Sequence, residues 1–79
     1  MLLKYVLVKN IYYDEMEFVR YGIAALDVSE QPALVLRTAA DLTSDVYTAL
    51  ALADKCNREN VLFCEMSDVI EGFISENKI

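Results

Sequence analysis

The chain has 79 residues, of which 56% are hydrophobic, and it carries a formal net charge of −6. This length excludes two domains. A domain of this size buries only about 60–65% of the surface that its unfolded chain exposes, so the surplus of apolar residues indicates either a surface that a partner covers or a densely packed monomer. The negative charge disfavours nucleic acid as a partner, because phosphate backbones are repelled. The acidic residues either form solvated helix faces or favour a basic protein partner.

The first half of the chain has the composition of β-strands. Val, Ile, Leu and Tyr recur there, and these residues suit a half-buried pleated surface. Asp14 and Glu15 mark a turn, and residues 29–32 contain a second turn signal. Gly22 lies within the second apolar stretch, where it indicates a bulge or a close approach of another backbone segment. Three strands are therefore predicted, over residues 2–12, 16–27 and 33–38.

The second half changes to a helical period and predicts two amphipathic helices, over residues 44–57 and 65–76. Thr43 or Ser44 is the expected N-cap of the first helix, with Asp45 in its first turn. Asn tolerates the left-handed conformation, so residues 57–60 are expected to end this helix. Its apolar stripe is Val46, Ala49, Leu50, Ala53 and Cys56, of which Leu50 and Ala53 are expected to pack on the sheet. The stripe of the second helix is Met66, Val69, Ile70 and Phe73.

Strands followed by helices predict a single α+β domain over residues 1–79. Its architecture is a two-layer sandwich, in which a three-stranded antiparallel sheet is followed by two helices (βββαα). Pairing about the first turn puts Lys9 opposite Arg20, whereas a one-residue slip would exchange the faces of the second strand.

In either register both sheet faces are mainly apolar, and two helices cover only one of them. We expect the other face to form the interface of a two-fold homodimer. Antiparallel pairing of the first or third strand with its copy is the alternative. The candidate interface residues are Tyr5, Val6, Val8, Val19, Tyr21 and Ile23.

The side chains that most enzymes need are scarce in this sequence. The absence of histidine excludes Ser/His and Cys/His nucleophilic sites, and no Gly-rich phosphate loop occurs. Cys56 and Cys64 match neither a redox pair nor a zinc site, so both are expected to be small buried hydrophobic residues. We expect no catalytic residue, no metal and no cofactor. No apolar run reaches membrane-spanning length and no secretory signal is present, which predicts a cytoplasmic protein without a membrane partner.

The function predicted from these patterns is a non-enzymatic protein-interaction or self-association module. The alternative is a small-ligand-binding or regulatory domain with a pocket between the sheet and the helices. Tyr12 and Tyr13 beside the first turn, and Tyr47 on the outer side of the first helix, are least explained by a core. Aromatic residues with polar tips are favoured at interfaces, which supports the prediction of an interaction module.

Four short motifs resemble an uncharacterised family of small Firmicutes proteins, a domain of unknown function. They are YGI at residues 21–23, LTSD at 42–45, CN at 56–57 and DVIEGF at 68–73. The similarity covers most of residues 16–75. It implies a bacterial cytoplasmic protein, and it supplies no activity, cofactor or site residue.

Overall fold

The computed structural model describes residues 1–77, so Lys78 and Ile79 of the predicted domain lie outside the described residues. A 3-10 turn at Phe63–Glu65 precedes the second helix. The α+β fold class predicted from the sequence, βββαα with an antiparallel sheet, is confirmed. The elements are β1 (Leu3–Tyr13), β2 (Glu17–Asp27), β3 (Leu34–Thr43), α1 (Val46–Arg58) and α2 (Met66–Asn77).

The sheet has the order β1-β2-β3, with β2 in the centre. β1 and β2 pair without interruption from Leu3↔Asp27 to Tyr13↔Glu17. The predicted pairing of Lys9 with Arg20 is wrong by one residue, because Lys9 lies opposite Tyr21. The turn at residues 14–16 has three residues rather than two, which shifts the register and removes the like-charge pair.

β3 continues to Thr43, five residues beyond the predicted end at residue 38, and it pairs irregularly. Opposite the single residue Gly22, β3 has three residues between Ala39 and Thr43. A Cβ atom at Gly22 would lie 2.0 Å from the Ala39 carbonyl oxygen. Only glycine leaves room for this bulge, so the expected close approach at Gly22 is confirmed. Within the bulge Asp41 has φ 59°, a left-handed conformation that Asp tolerates better than most residues.

α1 begins two residues later than predicted, and its N-cap is Asp45 rather than Thr43 or Ser44. Thr43 is still paired with β2, so its hydroxyl accepts a hydrogen bond from the Asp45 amide instead of capping the helix. The Asp45 carboxylate accepts bonds from the Tyr47 amide and the Thr48 hydroxyl, which occupies one free donor of the first turn. After the helix, Asn60 has φ 51°, as the Asn-rich end predicted.

The core lies between one sheet face and the two helices, at the end of the sheet where β1 begins. The stripe predicted for α2 is confirmed, because Met66 and Ile70 are buried and Val69 and Phe73 pack against them. The buried apolar cluster is Tyr5, Ile23, Ala25, Leu52, Ala53, Cys56, Val61, Met66 and Ile70.

Two expectations for the core are corrected. Leu50 is 45% exposed, whereas Leu52 is 2% exposed, so α1 is rotated relative to the predicted stripe and buries Leu52 instead. Cys64 is exposed in the 3-10 turn that the sequence did not indicate, although Cys56 is buried as expected.

Candidate functional site

The β1–β2 hairpin extends beyond the rest of the molecule. β3 makes its last pair with β2 at Tyr21↔Thr43, so residues 10–20, here named the arm, have no third strand paired with them. An 11-residue strand is about 36 Å long whereas a 13-residue helix is about 20 Å long, so α1 cannot cover the full hairpin. The arm is therefore a two-stranded projection.

The arm concentrates exposed apolar side chains near the tip of the hairpin. Tyr12 and Phe18 stack with ring centroids 5.2 Å apart on one face, and Ile11 lies beside Val19 on the other. An isolated two-stranded hairpin is only marginally stable in water, and soluble monomers seldom expose contiguous apolar surface. The exposed fractions are 41% for Ile11, 38% for Tyr12, 76% for Tyr13, 73% for Met16 and 45% for Phe18.

Asp41 anchors the arm to the β3 bulge. Its carboxylate accepts hydrogen bonds from the Tyr12 hydroxyl and, at 3.2 Å, from the Asn10 side chain. The Arg20 guanidinium donates to the Asp41 backbone carbonyl at 3.2 Å. The hydrogen bond from Tyr12 is the largest cause that lowers the pKa of Asp41, and the same bond raises the pKa of Tyr12. The left-handed backbone of Asp41 thus orients one carboxylate to hold the base of the arm.

The sheet face opposite the helices has no covering layer among residues 1–77. The molecule is 18 Å across its shortest dimension, which accommodates one sheet and one layer of helices. On this open face, Val6 and Val8 of β1 lie opposite Ala24 and Gly22 of β2. Val35 of β3 lies on the same face, opposite Leu26 of β2. Lys4 and Arg20 place a charge toward each end of the face.

The two edges of the sheet differ. β3 is interrupted by two irregularities, which blunt an edge against pairing with other strands, whereas β1 is regular over its whole length. At Tyr5 the free edge of β1 is closed by Asn57 of α1. The Asn57 side chain accepts from the Tyr5 amide at 2.8 Å and donates to the Tyr5 carbonyl at 3.0 Å, as a neighbouring strand would.

Along an antiparallel strand, the backbone amide and carbonyl of successive residues point alternately toward one neighbouring strand and toward the other. The bonds at Tyr5 therefore show which residues of β1 direct these groups away from β2. The amides and carbonyls of Leu7, Lys9, Ile11 and Tyr13 point away from β2, as those of Tyr5 do. Within residues 1–77, no group forms a hydrogen bond with the outward amides and carbonyls of these four residues. β1 therefore presents a free edge over residues 7–13, and Asn57 marks where that edge ends.

A cavity of about 230 Å³ lies at the other end of the molecule, between the start of β1, the end of α1 and the segment at Val61. Two of its polar side chains are already hydrogen bonded: the Tyr5 hydroxyl donates to the Val61 carbonyl, and Asn57 bonds the Tyr5 backbone. Burial is the largest cause that raises the pKa of Tyr5, so its hydroxyl stays protonated. The cavity is smaller than the roughly 300 Å³ at which ligand pockets begin.

The six candidate interface residues fall in three places. Val6 and Val8 lie on the open face. Val19 and Tyr21 are half-buried on the helix side, in and beside the arm. Tyr5 and Ile23 are 3% and 0% exposed in the core, so their assignment to an exposed interface is corrected. The one-residue error in register exchanged the faces of β2 and misplaced Val19, Tyr21 and Ile23, whereas Tyr5 precedes Val6 on β1 and therefore lies on the opposite face in any register.

Sequence reasoning did not identify Ile11, Met16, Phe18 and Asn57 as site residues. Tyr12 and Tyr13 were the signal that existed, because they flank a turn where no core was expected. The sequence pattern indicates Asn57 only as the end of a helix. Its partner Tyr5 is 52 residues away in the sequence, and no local pattern reports such a bond.

Comparisons with protein-family models, with curated proteins and with solved structures found no match to this chain. The resemblance to a Firmicutes family stays a prediction. Within residues 1–77, neither helix has both the length and the apolar character needed to cross a membrane.

Proposed function

We propose that this chain is a non-enzymatic protein-interaction module of a bacterial cytoplasmic protein, and that it contacts a protein partner with the arm. The observation that carries the proposal is the group of exposed apolar residues on a two-stranded projection that α1 does not reach. Tyr12 and Tyr13 are 38% and 76% exposed, so a partner that covers the arm would bury further aromatic surface of both.

The anchoring of the arm supports this role. An arm that only fluctuated would lose conformational entropy on binding, which weakens association. Asp41 holds Asn10, Tyr12 and Arg20 in place before any partner arrives. A projection that is both apolar and held in position is suited to recognition, since less order has to be imposed when the complex forms.

The test compares the wild-type chain with the arm variant Tyr13→Ser/Met16→Ser. Both residues are more than 70% exposed, so the monomer should keep its melting temperature. The matched control is Tyr47→Ser on α1, which is 76% exposed and lies outside the arm. Each protein is immobilised, exposed to extract of the source cells, and also sedimented alone at tens of micromolar.

A partner, or a second copy, that the wild type and the Tyr47 control retain and the arm variant loses would support the proposal. Equal retention by all three proteins, or retention of nothing together with a clean monomer, would contradict it.

The second candidate function is small-ligand binding in the cavity beside Tyr5, which the 230 Å³ volume favours. Its disadvantage is that Tyr5 and Asn57, two of the polar side chains in the lining, are already hydrogen bonded. Native mass spectrometry of the purified chain distinguishes the two functions. A small molecule retained in stoichiometric amount, and lost in Leu3→Trp, would move the function to the cavity.

A further inference from the structure

We propose that the partner of the arm is a second copy of this chain, joined by antiparallel pairing of the two β1 edges in a register that Asn57 sets. This inference rests on the proposed function and names its partner. It starts from the free edge over residues 7–13, where four residues have unbonded backbone groups on the outward side. A regular unpaired edge is a template for another strand.

The positions of the outward groups restrict the register. A two-fold axis at Asn10 puts Leu7 opposite Tyr13 of the second copy, and Lys9 opposite Ile11. All outward groups of both copies are then used, in about eight backbone hydrogen bonds. An axis at Lys9 would require the edge of Tyr5, which Asn57 already occupies, and would bring two lysines face to face. An axis at Ile11 would leave Leu7 unpaired.

The side chains in this register are compatible on both faces. On the open face Val8 lies beside Tyr12 of the second copy, an aromatic–β-branched pair of the kind that stabilises sheets. Asn10 lies beside its own symmetry mate, and amide side chains can bond one another. Lys4 comes close to Asp14 and Glu15 in the turn of the second copy. Opposite charges therefore meet at each end of the interface.

α1 supplies the remaining apolar contact. Leu50 precedes Asn57 by seven residues, which places both on one side of α1. Since Asn57 reaches the free edge at Tyr5, Leu50 projects over the same edge about 10 Å further along, near residue 8. The residues of the second copy at that position are Ile11 and Tyr13, on the helix side of its arm. In this register the dimer therefore covers Ile11, Tyr13 and Leu50, three apolar residues that are exposed in the monomer.

Exposed apolar groups of each copy lie where a dimer of this kind would cover them. A stable interface buries about 600–1,000 Å² per partner. Here each copy contributes a seven-residue strand edge together with Ile11, Tyr13 and Leu50, which are 41%, 76% and 45% exposed. The two-fold axis uses each contact twice. A small dimer of modest affinity follows, with both arms lying along the helix-covered end of the other copy.

Proline substitution tests the edge directly. The Lys9 amide points outward, so Lys9→Pro removes a hydrogen bond of the dimer and none between β1 and β2. We expect its dimer dissociation constant in sedimentation to rise at least about tenfold, and Lys9→Ala to stay near the wild type. If Lys9→Pro does not fold, Leu50→Glu replaces it, with Ala51→Glu as the control on the exposed side of α1. An unchanged dissociation constant for Leu50→Glu would overturn the proposal.

A symmetric disulfide tests the register. In a Cys64→Ser background, which removes the exposed thiol, Asn10→Cys should form a covalent dimer on mild oxidation, because the paired Cα atoms lie about 4.5 Å apart. Val8→Cys should not, because its symmetry mate is about 13 Å away along the strand. Efficient cross-linking at residue 8 but not at 10 would show another register.

A wild-type monomer at tens of micromolar would overturn the second-copy proposal as a whole. The proposed function would survive that result if another protein bound in an arm-dependent manner.

Discussion

At its root, the β1–β2 hairpin packs Tyr5, Ile23 and Ala25 against α1 and α2, and these residues are at most 3% exposed. In the arm, the same two strands leave Ile11, Tyr13 and neighbouring apolar residues in water. The composition of the strands is similar at both ends, and the pairing is equally regular. What differs is the reach of the helices.

This comparison shows how a short chain can separate stability from recognition. The core at the root depends on contacts between residues far apart in the sequence, and most of the folding free energy must come from there. The arm adds strand pairing and an Asp41 anchor but buries little. Substitutions at the root should therefore change stability, and substitutions in the arm should change association.

The largest effect is expected for Leu52→Ala, with Leu50→Ala as its matched control on the same helix. Leu52 is 2% exposed in the core, so its truncation should lower the free energy of unfolding by about 2–5 kcal/mol. Leu50 is 45% exposed, and its truncation should cost no more than about 1 kcal/mol. Urea denaturation at low protein concentration, where the chain is monomeric, measures both. Equal losses would mean that α1 is rotated differently.

The next effect concerns the junction of root and arm. Gly22→Ala would put a Cβ atom 2.0 Å from the Ala39 carbonyl oxygen, so the β3 bulge must shift, at a cost of about 1–3 kcal/mol or more. Gly72→Ala is the control, because nothing lies within 4 Å of the added Cβ and alanine favours a helix. Thermal unfolding should separate the two variants in opposite directions. A neutral Gly22→Ala would contradict the close approach.

A third, comparable effect tests a buried hydrogen bond at the root. Tyr5→Phe keeps the ring but leaves the Val61 carbonyl without its hydroxyl donor, which should cost about 1–3 kcal/mol. Tyr13→Phe in the arm should have no measurable effect on unfolding, since Tyr13 is 76% exposed. Denaturation of the two variants under one set of conditions gives the comparison. A stable Tyr5→Phe would indicate that water replaces the tyrosine hydroxyl.

The sequence predicted the order of elements because the change from strand composition to helical period is a local signal. It did not predict the register, because both faces of β1 and β2 are apolar. The hydrophobic pattern therefore fits equally well when β2 is shifted by one residue. Leu50 and Leu52 both border the apolar stripe of α1, and only docking on the sheet decides which is buried. Asp41 and Asn57 act on residues 21 to 52 positions away, so their roles arise from the tertiary structure.

The smallest effect is the response of the arm to acid. Hydrogen bonds from Tyr12 and Asn10 lower the pKa of Asp41 below its ordinary value, so the anchored arm favours the charged carboxylate. The anchor is fully present above the ordinary carboxyl pKa of about 4, and it is lost as the pH falls below that value through the lowered pKa. Amide hydrogen exchange or NMR between pH 6 and 2.5 should show the arm opening before the root.

Two variants isolate the contribution of Asp41. Hydrogen bonding with Ser29 also lowers the pKa of Asp27 at the root, so the wild type has a second acid-sensitive carboxylate. Asp41→Asn keeps an acceptor and a residue that tolerates the left-handed backbone, but it removes the titration. Tyr12→Phe keeps the stack on Phe18 and removes the hydroxyl donor. Both should flatten the acid response of the arm and leave that of the root unchanged. An arm that opens in acid equally in all three proteins would show that Asp41 is not its anchor.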